Sequence, residues 1–106
     1  MSLFDFVKAP DINQGVNEYR ASPGALLLDV RSAQEYREGH IPGSVNLPLR
    51  EINRIEELAD SKADPLFLYC LSGARSRQAT AMLQEMGYEE VHNIGGILDY
   101  KGKVEL

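Results

Sequence analysis

Short apolar runs separated by turn residues divide the chain into candidate strands. Two nearly continuous runs, residues 25–30 and 66–69, each follow a proline-containing turn. Continuous rather than alternating apolar positions are typical of strands buried on both faces of a parallel sheet. Weaker candidate strands lie at residues 4–7, 44–46 and 90–94.

Helical patterns alternate with these strands. Residues 12–20 are a helix candidate and residues 49–58 an amphipathic one, and Ser32 with Glu35 matches a capping box at a helix start. Residues 76–86 are the best candidate, since their apolar positions share one face and a glycine follows. The alternation predicts an α/β fold with a mainly parallel sheet, and a length of 106 residues predicts one domain, residues 1–106.

Composition narrows the classes of partner. The net charge of −5 argues against nucleic acid, because phosphate contacts require a basic surface. No apolar run is long enough to span a membrane, so no membrane partner is expected. A single cysteine cannot form an intrachain disulfide or by itself bind zinc, so no metal or other cofactor is expected. With no secretory leader visible, the sequence predicts a cytoplasmic protein.

The candidate chemistry lies where the second long apolar run ends. Cys70 follows this run, and a loop of small residues leads to Arg75 at a predicted helix start. Gly73 gives the loop backbone freedom, so successive N–H groups can turn inward around an anion. The helix N-terminus and the arginine add positive potential. The pattern therefore predicts that negative charge is held at Cys70. No nearby base is needed if a thiolate is held in this way.

The loop and its surroundings resemble one family. Residues 70–76, Cys-Leu-Ser-Gly-Ala-Arg-Ser, resemble the rhodanese active-site loop Cys-x-x-Gly-x-Arg-Ser. Residues 28–31 (Leu-Asp-Val-Arg), 35–48 (from Glu-Tyr through Gly-His-Ile-Pro-Gly) and 93–96 (Asn-Ile-Gly-Gly) resemble further motifs of that family, in family order. The resemblance implies a rhodanese-like α/β fold with about five mainly parallel strands flanked by helices.

The resemblance also implies an activity and a site. Such a sulfurtransferase moves a sulfane sulfur from a small anionic donor such as thiosulfate to a thiol or cyanide acceptor, through a persulfide on Cys70. The anion would be bound by the Arg75 side chain and by the loop amides, which belong to Leu71, Ser72, Gly73, Ala74, Arg75 and Ser76.

The sequence departs from the family pattern at two places. Ile97 and Tyr100 stand where family members often carry an aromatic residue and a tryptophan, so the pocket wall in that segment is expected to differ. Leu71 and Ala74 are apolar where some members carry basic residues, which favours a donor other than thiosulfate.

Three other residues receive supporting roles. Asp29 and Arg31, two positions apart at a strand end, are expected to form a charge pair that braces the active loop without taking part in the chemistry. His40 precedes a proline and is expected to be a hydrogen-bonded structural residue rather than a base for Cys70.

Two alternative functions are compatible with the same loop. A cysteine phosphatase or arsenate reductase also uses a cysteine–arginine loop, but four residues separate Cys70 from Arg75, against five in related phosphatases. One residue adds at most about 3.3–3.6 Å of loop perimeter, so the smaller loop fits a terminal sulfur better than a phosphate. The other alternative is a sulfur-relay carrier that accepts persulfide sulfur from a partner protein.

Overall fold

The computed structural model describes residues 9–106. The strands are β1 (Leu26–Asp29), β2 (Ser44–Asn46), β3 (Leu66–Cys70) and β4 (Val91–Gly96), and the α-helices are α1 (Ile12–Arg20), α2 (Ala33–Glu38) and α3 (Ala74–Glu85). Two 3-10 helical segments complete the fold, Leu49–Glu57 and Ile97–Asp99. The predicted strand at residues 4–7 lies outside the described residues.

Within residues 9–106 the sheet has four strands in the order β2-β1-β3-β4, and all neighbouring strands are parallel. The predicted α/β class with a parallel sheet is thus confirmed. Between β3 and β4 the register shifts, because Leu68 pairs with Asn93 but Tyr69 pairs with Gly95. This bulge lies at the carboxyl ends of the strands, next to Cys70.

Both faces of the sheet are covered, which explains the continuous apolar runs. Leu28 and Leu68 pack with α3 and the first 3-10 segment on one face. Leu27 and Phe67 pack with α1 on the other. Side chains of successive strand residues point to opposite faces, so a strand covered on both sides must be apolar at every position. No helix of the described part is long and apolar enough to cross a membrane.

Helix boundaries follow local capping. Asp11 accepts a hydrogen bond from the backbone N–H of Asn13 at the start of α1, and Ser32 with Glu35 forms the predicted capping box at the start of α2. The best predicted helix begins at Ala74, two residues earlier than the pattern indicated. The predicted helix at 49–58 is a 3-10 segment with non-helical backbone at Glu51.

Candidate active site

Cys70 is the last residue of β3 and pairs with Gly96 of β4. It packs in the buried cluster on the α3 face of the sheet and is 1% exposed. Ligands of open α/β sheets bind at the carboxyl ends of the strands. Strand β3 therefore places the Cys70 sulfur at the carboxyl edge of the sheet, where the sequence predicts the chemistry.

The loop after Cys70 folds around its sulfur. The backbone N–H of Gly73 donates to Sγ at 3.0 Å and that of Ser76 at 3.4 Å, while the Ser76 hydroxyl oxygen lies 3.4 Å from Sγ. Burial acts to raise the pKa of the Cys70 thiol. The Ser76 hydroxyl, the Ser76 amide and the Gly73 amide outweigh it, so the pKa lies below its ordinary value. Donors directed at Sγ favour the thiolate over the thiol.

Backbone geometry explains why these amides face the sulfur. Gly73 has φ +103°, in the left-handed region, and is the N-cap of α3. Ser76 is the third residue of that helix, so its N–H has no partner within the helix. The N–H instead meets Sγ at the positive end of the helix dipole.

The other predicted loop amides behave differently. Within residues 9–106, the amides of Leu71, Ala74 and Arg75 donate no hydrogen bond to Sγ. Ser72 adds a weaker backbone contribution that lowers the pKa of Cys70. A role of the whole set 71–76 in binding a donor stays a prediction.

The side chain of Asn93 in β4 forms hydrogen bonds to the loop, a role that the sequence did not reveal. Its Oδ1 lies 2.7 Å from the Ser76 hydroxyl, and its Nδ2 donates to the carbonyl of Gly73 at 3.3 Å. The amide of Gly95 donates to the same Oδ1 at 3.1 Å, which fixes the orientation of the Asn93 side chain. The signal was present in the Asn-Ile-Gly-Gly motif, but the motif alone does not say what the asparagine contacts.

The second glycine of that motif lies directly against the loop. A Cβ added to Gly96 would lie 2.3 Å from the carbonyl oxygen of Leu71 and 2.5 Å from Cα of Ser72. Both are backbone atoms, so the loop could not keep its position against any larger residue. The Leu98 amide also donates to the Leu71 carbonyl, at 3.3 Å. Gly96 therefore sets how closely β4 supports the loop.

The Arg75 side chain forms an ion pair across the cleft. Its two terminal nitrogens donate to the two carboxylate oxygens of Glu35 at 2.8 and 3.0 Å. The carboxylate is held in turn by the backbone and hydroxyl of Ser32, each at 3.1 Å. The bond to Arg75 outweighs the effect of burial and, with the Ser32 bonds, lowers the pKa of Glu35 to about 2.

The guanidinium is nonetheless close enough to Cys70 to respond to its charge. The Glu35 bond raises the pKa of Arg75 against the opposing effect of burial, and the charge of Cys70 raises it further. Arg75 is thus bound to a carboxylate rather than free to meet an anion. Its predicted role as an anion ligand stays a prediction.

Asp29 and Arg31 form the predicted charge pair, which bonds to a different segment. The pair is buried, with a shortest N–O distance of 2.7 Å, and Arg31 also donates to the carbonyl of Gly39 at 2.8 Å. Asn46 donates to the backbone carbonyls of both residues. Within the described residues neither side chain bonds to loop 71–76. The bonds that the structure shows hold the turn between α2 and β2, and a bracing effect of the pair on the active loop stays a prediction.

Two remaining predictions concern the surroundings. His40 is a structural residue as predicted, because its Nδ1 lies 2.8 Å from the Tyr36 carbonyl and its ring stacks on that of Tyr36. In the segment of the predicted pocket wall, Leu98 is 70% exposed while Tyr100 packs against the α1 face. Among residues 9–106 no group of three or more histidine, cysteine or acidic side chains is placed to hold a metal ion.

A cleft adjoins the Cys70 loop at Arg75. Its volume is about 540 Å³, and its walls include Ser32 and Ala33, the segment 48–51, Arg75 and Met82. The walls come from the ends of β1 and β2 and from α3, which places the cleft at the same edge of the sheet as the Cys70 loop. Its lining is mainly apolar and includes the charged residues Arg50, Glu51 and Arg75.

Comparison with known proteins agrees with this geometry. The rhodanese-like domain family model matches residues 13–103. The chain is 41% identical over 73 residues to the thiosulfate sulfurtransferase PspE of Escherichia coli, covering 68% of this chain and 70% of that protein. It is 40% identical over 107 residues to the putative sulfur carrier protein YrkF of Bacillus subtilis, covering 99% of this chain but about half (52%) of that protein.

A solved structure shows the same fold. The rhodanese with anions from E. coli superposes with a TM-score of 0.72 at 36% sequence identity, covering 76% of this chain and 96% of that one. The family model spans most of the chain, and the fold and motif order agree with it. The chain belongs to the rhodanese-like domain family.

Proposed function

We propose that this protein is a sulfurtransferase that moves a sulfane sulfur from a donor such as thiosulfate to a thiophilic acceptor through a persulfide on Cys70. One observation carries the proposal: the amides of Gly73 and Ser76 and the Ser76 hydroxyl surround Sγ and lower the thiol pKa. Groups that stabilise a thiolate also stabilise the terminal anion of a persulfide held in the same loop.

The proposed reaction has two displacements. The Cys70 thiolate attacks the terminal sulfur of thiosulfate, a bond forms between Sγ and that sulfur, and sulfite leaves with the electron pair of the broken S–S bond. An acceptor thiolate or cyanide then attacks the terminal sulfur of the persulfide. The product is a new persulfide or thiocyanate, and the Cys70 thiolate is regenerated.

The low exposure of Cys70 favours a substrate whose reacting atom is small. At 1% exposure, Sγ can be approached by a terminal sulfur atom more easily than by a tetrahedral phosphate. The relationship to a thiosulfate sulfurtransferase, and to a rhodanese solved with anions, supports the same substrate class. The phosphatase alternative has no comparable support.

A sulfur-relay role is the second candidate. The similarity to a putative sulfur carrier protein extends over 99% of this chain, and the chemistry at Cys70 would be identical. The two roles differ only in the donor. Comparing the rates of sulfur loading from thiosulfate and from a protein persulfide separates them.

The test of the proposal is the intact mass after incubation with thiosulfate. We expect a gain of one sulfur atom, reversed by cyanide. Because Cys70 is the only cysteine, Cys70→Ser is a complete negative control. Absence of the gain with every sulfane donor, or rapid turnover of an aryl phosphate, would contradict the proposal.

A further inference from the structure

The cation of the candidate site is neutralised before any donor arrives. Glu35 binds both terminal nitrogens of Arg75, and Ser32 holds the carboxylate by two further bonds. The carboxylate is thus pre-positioned by its own helix cap rather than drawn in by the arginine alone. A donor entering the cleft meets an ion pair with no net charge.

Within residues 9–106, the other cations that line the clefts next to the loop share those clefts with acidic residues. Leu71 and Ala74 are apolar, Arg50 lines the adjacent cleft together with Glu51, and Arg77 lines a second cleft against residues 72–74 together with Asp99. The chain as a whole carries a net charge of −5. The positive potential for a donor therefore comes mainly from the loop amides and the start of α3, which act as partial charges over short distances.

We propose that Glu35 is a specificity-determining residue that makes the site favour singly charged sulfane donors over doubly charged ones. The inference rests on the proposed sulfur transfer and names its donor class. Glu35 acts through Arg75 and through its own charge, without touching the reacting atoms. The loop amides suffice to bind a donor with one negative charge. A second negative charge requires the Arg75 guanidinium, which Glu35 already binds.

Two donors of matched shape isolate this effect. Thiosulfate carries two negative charges, and methanethiosulfonate has a methyl group in place of one oxygen and carries one. Each transfers its terminal sulfur to the Cys70 thiolate by breaking one S–S bond, releasing sulfite or methanesulfinate with the electron pair. Their intrinsic reactivities differ, but this difference cancels when a variant is compared with the wild type.

The expected size follows from Coulomb's law. For charges about 8 Å apart at an effective dielectric constant of about 40, removing one charge changes binding by roughly fivefold per unit of donor charge. In Glu35→Gln, the ratio of kcat/KM for thiosulfate to that for methanethiosulfonate should therefore rise roughly fivefold. The change should lie in KM, because charge compensation acts on binding.

The variants separate charge from structure. Glutamine at position 35 still completes a capping box, so Glu35→Gln removes the charge while keeping the cap. Glu38→Gln removes the same charge from the exposed end of the same helix and should leave the ratio unchanged. Glu35→Asp keeps the charge and should retain a ratio near that of the wild type. An equal rise in Glu35→Asp and Glu35→Gln would show that side-chain geometry decides, and would overturn the inference.

A measurement on the wild type alone provides an independent test. With Arg75 already neutralised, KM for thiosulfate should stay flat or fall as salt is added. A steep rise would reveal an uncompensated positive site and contradict the inference. Persulfide formation with an unchanged donor ratio in Glu35→Gln would overturn the role of Glu35 alone. If neither donor adds sulfur to Cys70 in any variant, the proposed function itself fails, and this inference with it.

Discussion

The contact between Gly96 and the Cys70 loop gives a sharp prediction. The backbone of Gly96 has φ −120° and ψ 142°, which alanine adopts without strain. The obstacle is the loop, since a Cβ would lie 2.3 Å from the Leu71 carbonyl oxygen. Real Cβ contacts are essentially never shorter than 3.0 Å, so the loop must move by at least about 0.7 Å.

A shift of that size should impair sulfur transfer more than folding. A displacement of about 1 Å at a reacting centre can cost about 100-fold in rate, so we expect Gly96→Ala to load sulfur roughly 30- to 100-fold more slowly. Overpacking a well-packed site costs about 1–3 kcal/mol of unfolding free energy, which a domain of this size can tolerate.

The assay is the rate at which intact mass increases with thiosulfate, measured beside a urea unfolding curve. Gly102→Ala is the matched control, because its Cβ would also lie 2.3 Å from an atom, but that atom is the hydroxyl of the Tyr100 side chain, which can move aside. We expect the control to load sulfur at the wild-type rate. A folded Gly96→Ala protein that did the same would refute the argument that β4 positions the loop.

Three further predictions concern the charged residues. Arg75→Ala should raise KM for thiosulfate about 25-fold, because it leaves the Glu35 carboxylate unpaired next to the Cys70 loop, and an unchanged KM would remove Arg75 from the site. The partly exposed pair should contribute at most about 1 kcal/mol to stability. Asp29→Asn should lower the unfolding free energy by about 3–5 kcal/mol, measured in urea, because it leaves the Arg31 charge buried; a loss below about 1 kcal/mol would contradict this. The pKa of Glu35 falls from 4.5 to about 2 on folding. The contribution of the charged Glu35 to the unfolding free energy is therefore complete above pH 4.5 and disappears as pH falls toward 2. The difference in unfolding free energy between wild type and Glu35→Gln should shrink across that window, and a constant difference would be inconsistent with the ion pair.

Local sequence patterns predicted most of the secondary structure. The helix at 12–20 and the short strand at 44–46 have their predicted bounds, and the capping box at Ser32 forms both of its hydrogen bonds. These features depend on neighbouring residues, whose chemistry the sequence displays directly. The start of α3 was misplaced because Gly73, not a polar side chain, is its N-cap, and a glycine cap gives little signal in the sequence.

Contacts between distant residues were not predictable in the same way. The sequence indicated Cys70 and its loop because the strand, the loop and the helix start are contiguous. It did not reveal that Glu35 binds Arg75 from 40 positions away, or that Asn93 reaches the hydroxyl of Ser76 from 17 positions away. Both contacts exist only once parallel strands bring separate loops to one edge of the sheet.

The bonding partners of Asp29 and Arg31 were not predictable for the same reason. A charge pair at the end of a strand can bond to a loop next to either of the two neighbouring strands. In the order β2-β1-β3-β4, β1 lies between β2 and β3, and the Arg31 side chain turns toward the segment that leads into β2. Sequence spacing does not distinguish these two neighbours.

The groups around Sγ are expected to hold negative charge on Cys70, and the pH dependence of Cys70 alkylation measures that charge. The rate of modification by iodoacetamide, followed by intact mass, reports the thiolate fraction of this single cysteine. We expect an inflection below the ordinary pKa of a cysteine thiol, and a shift of this inflection to higher pH in Ser76→Ala. An inflection at or above the ordinary value, unmoved by Ser76→Ala, would contradict it.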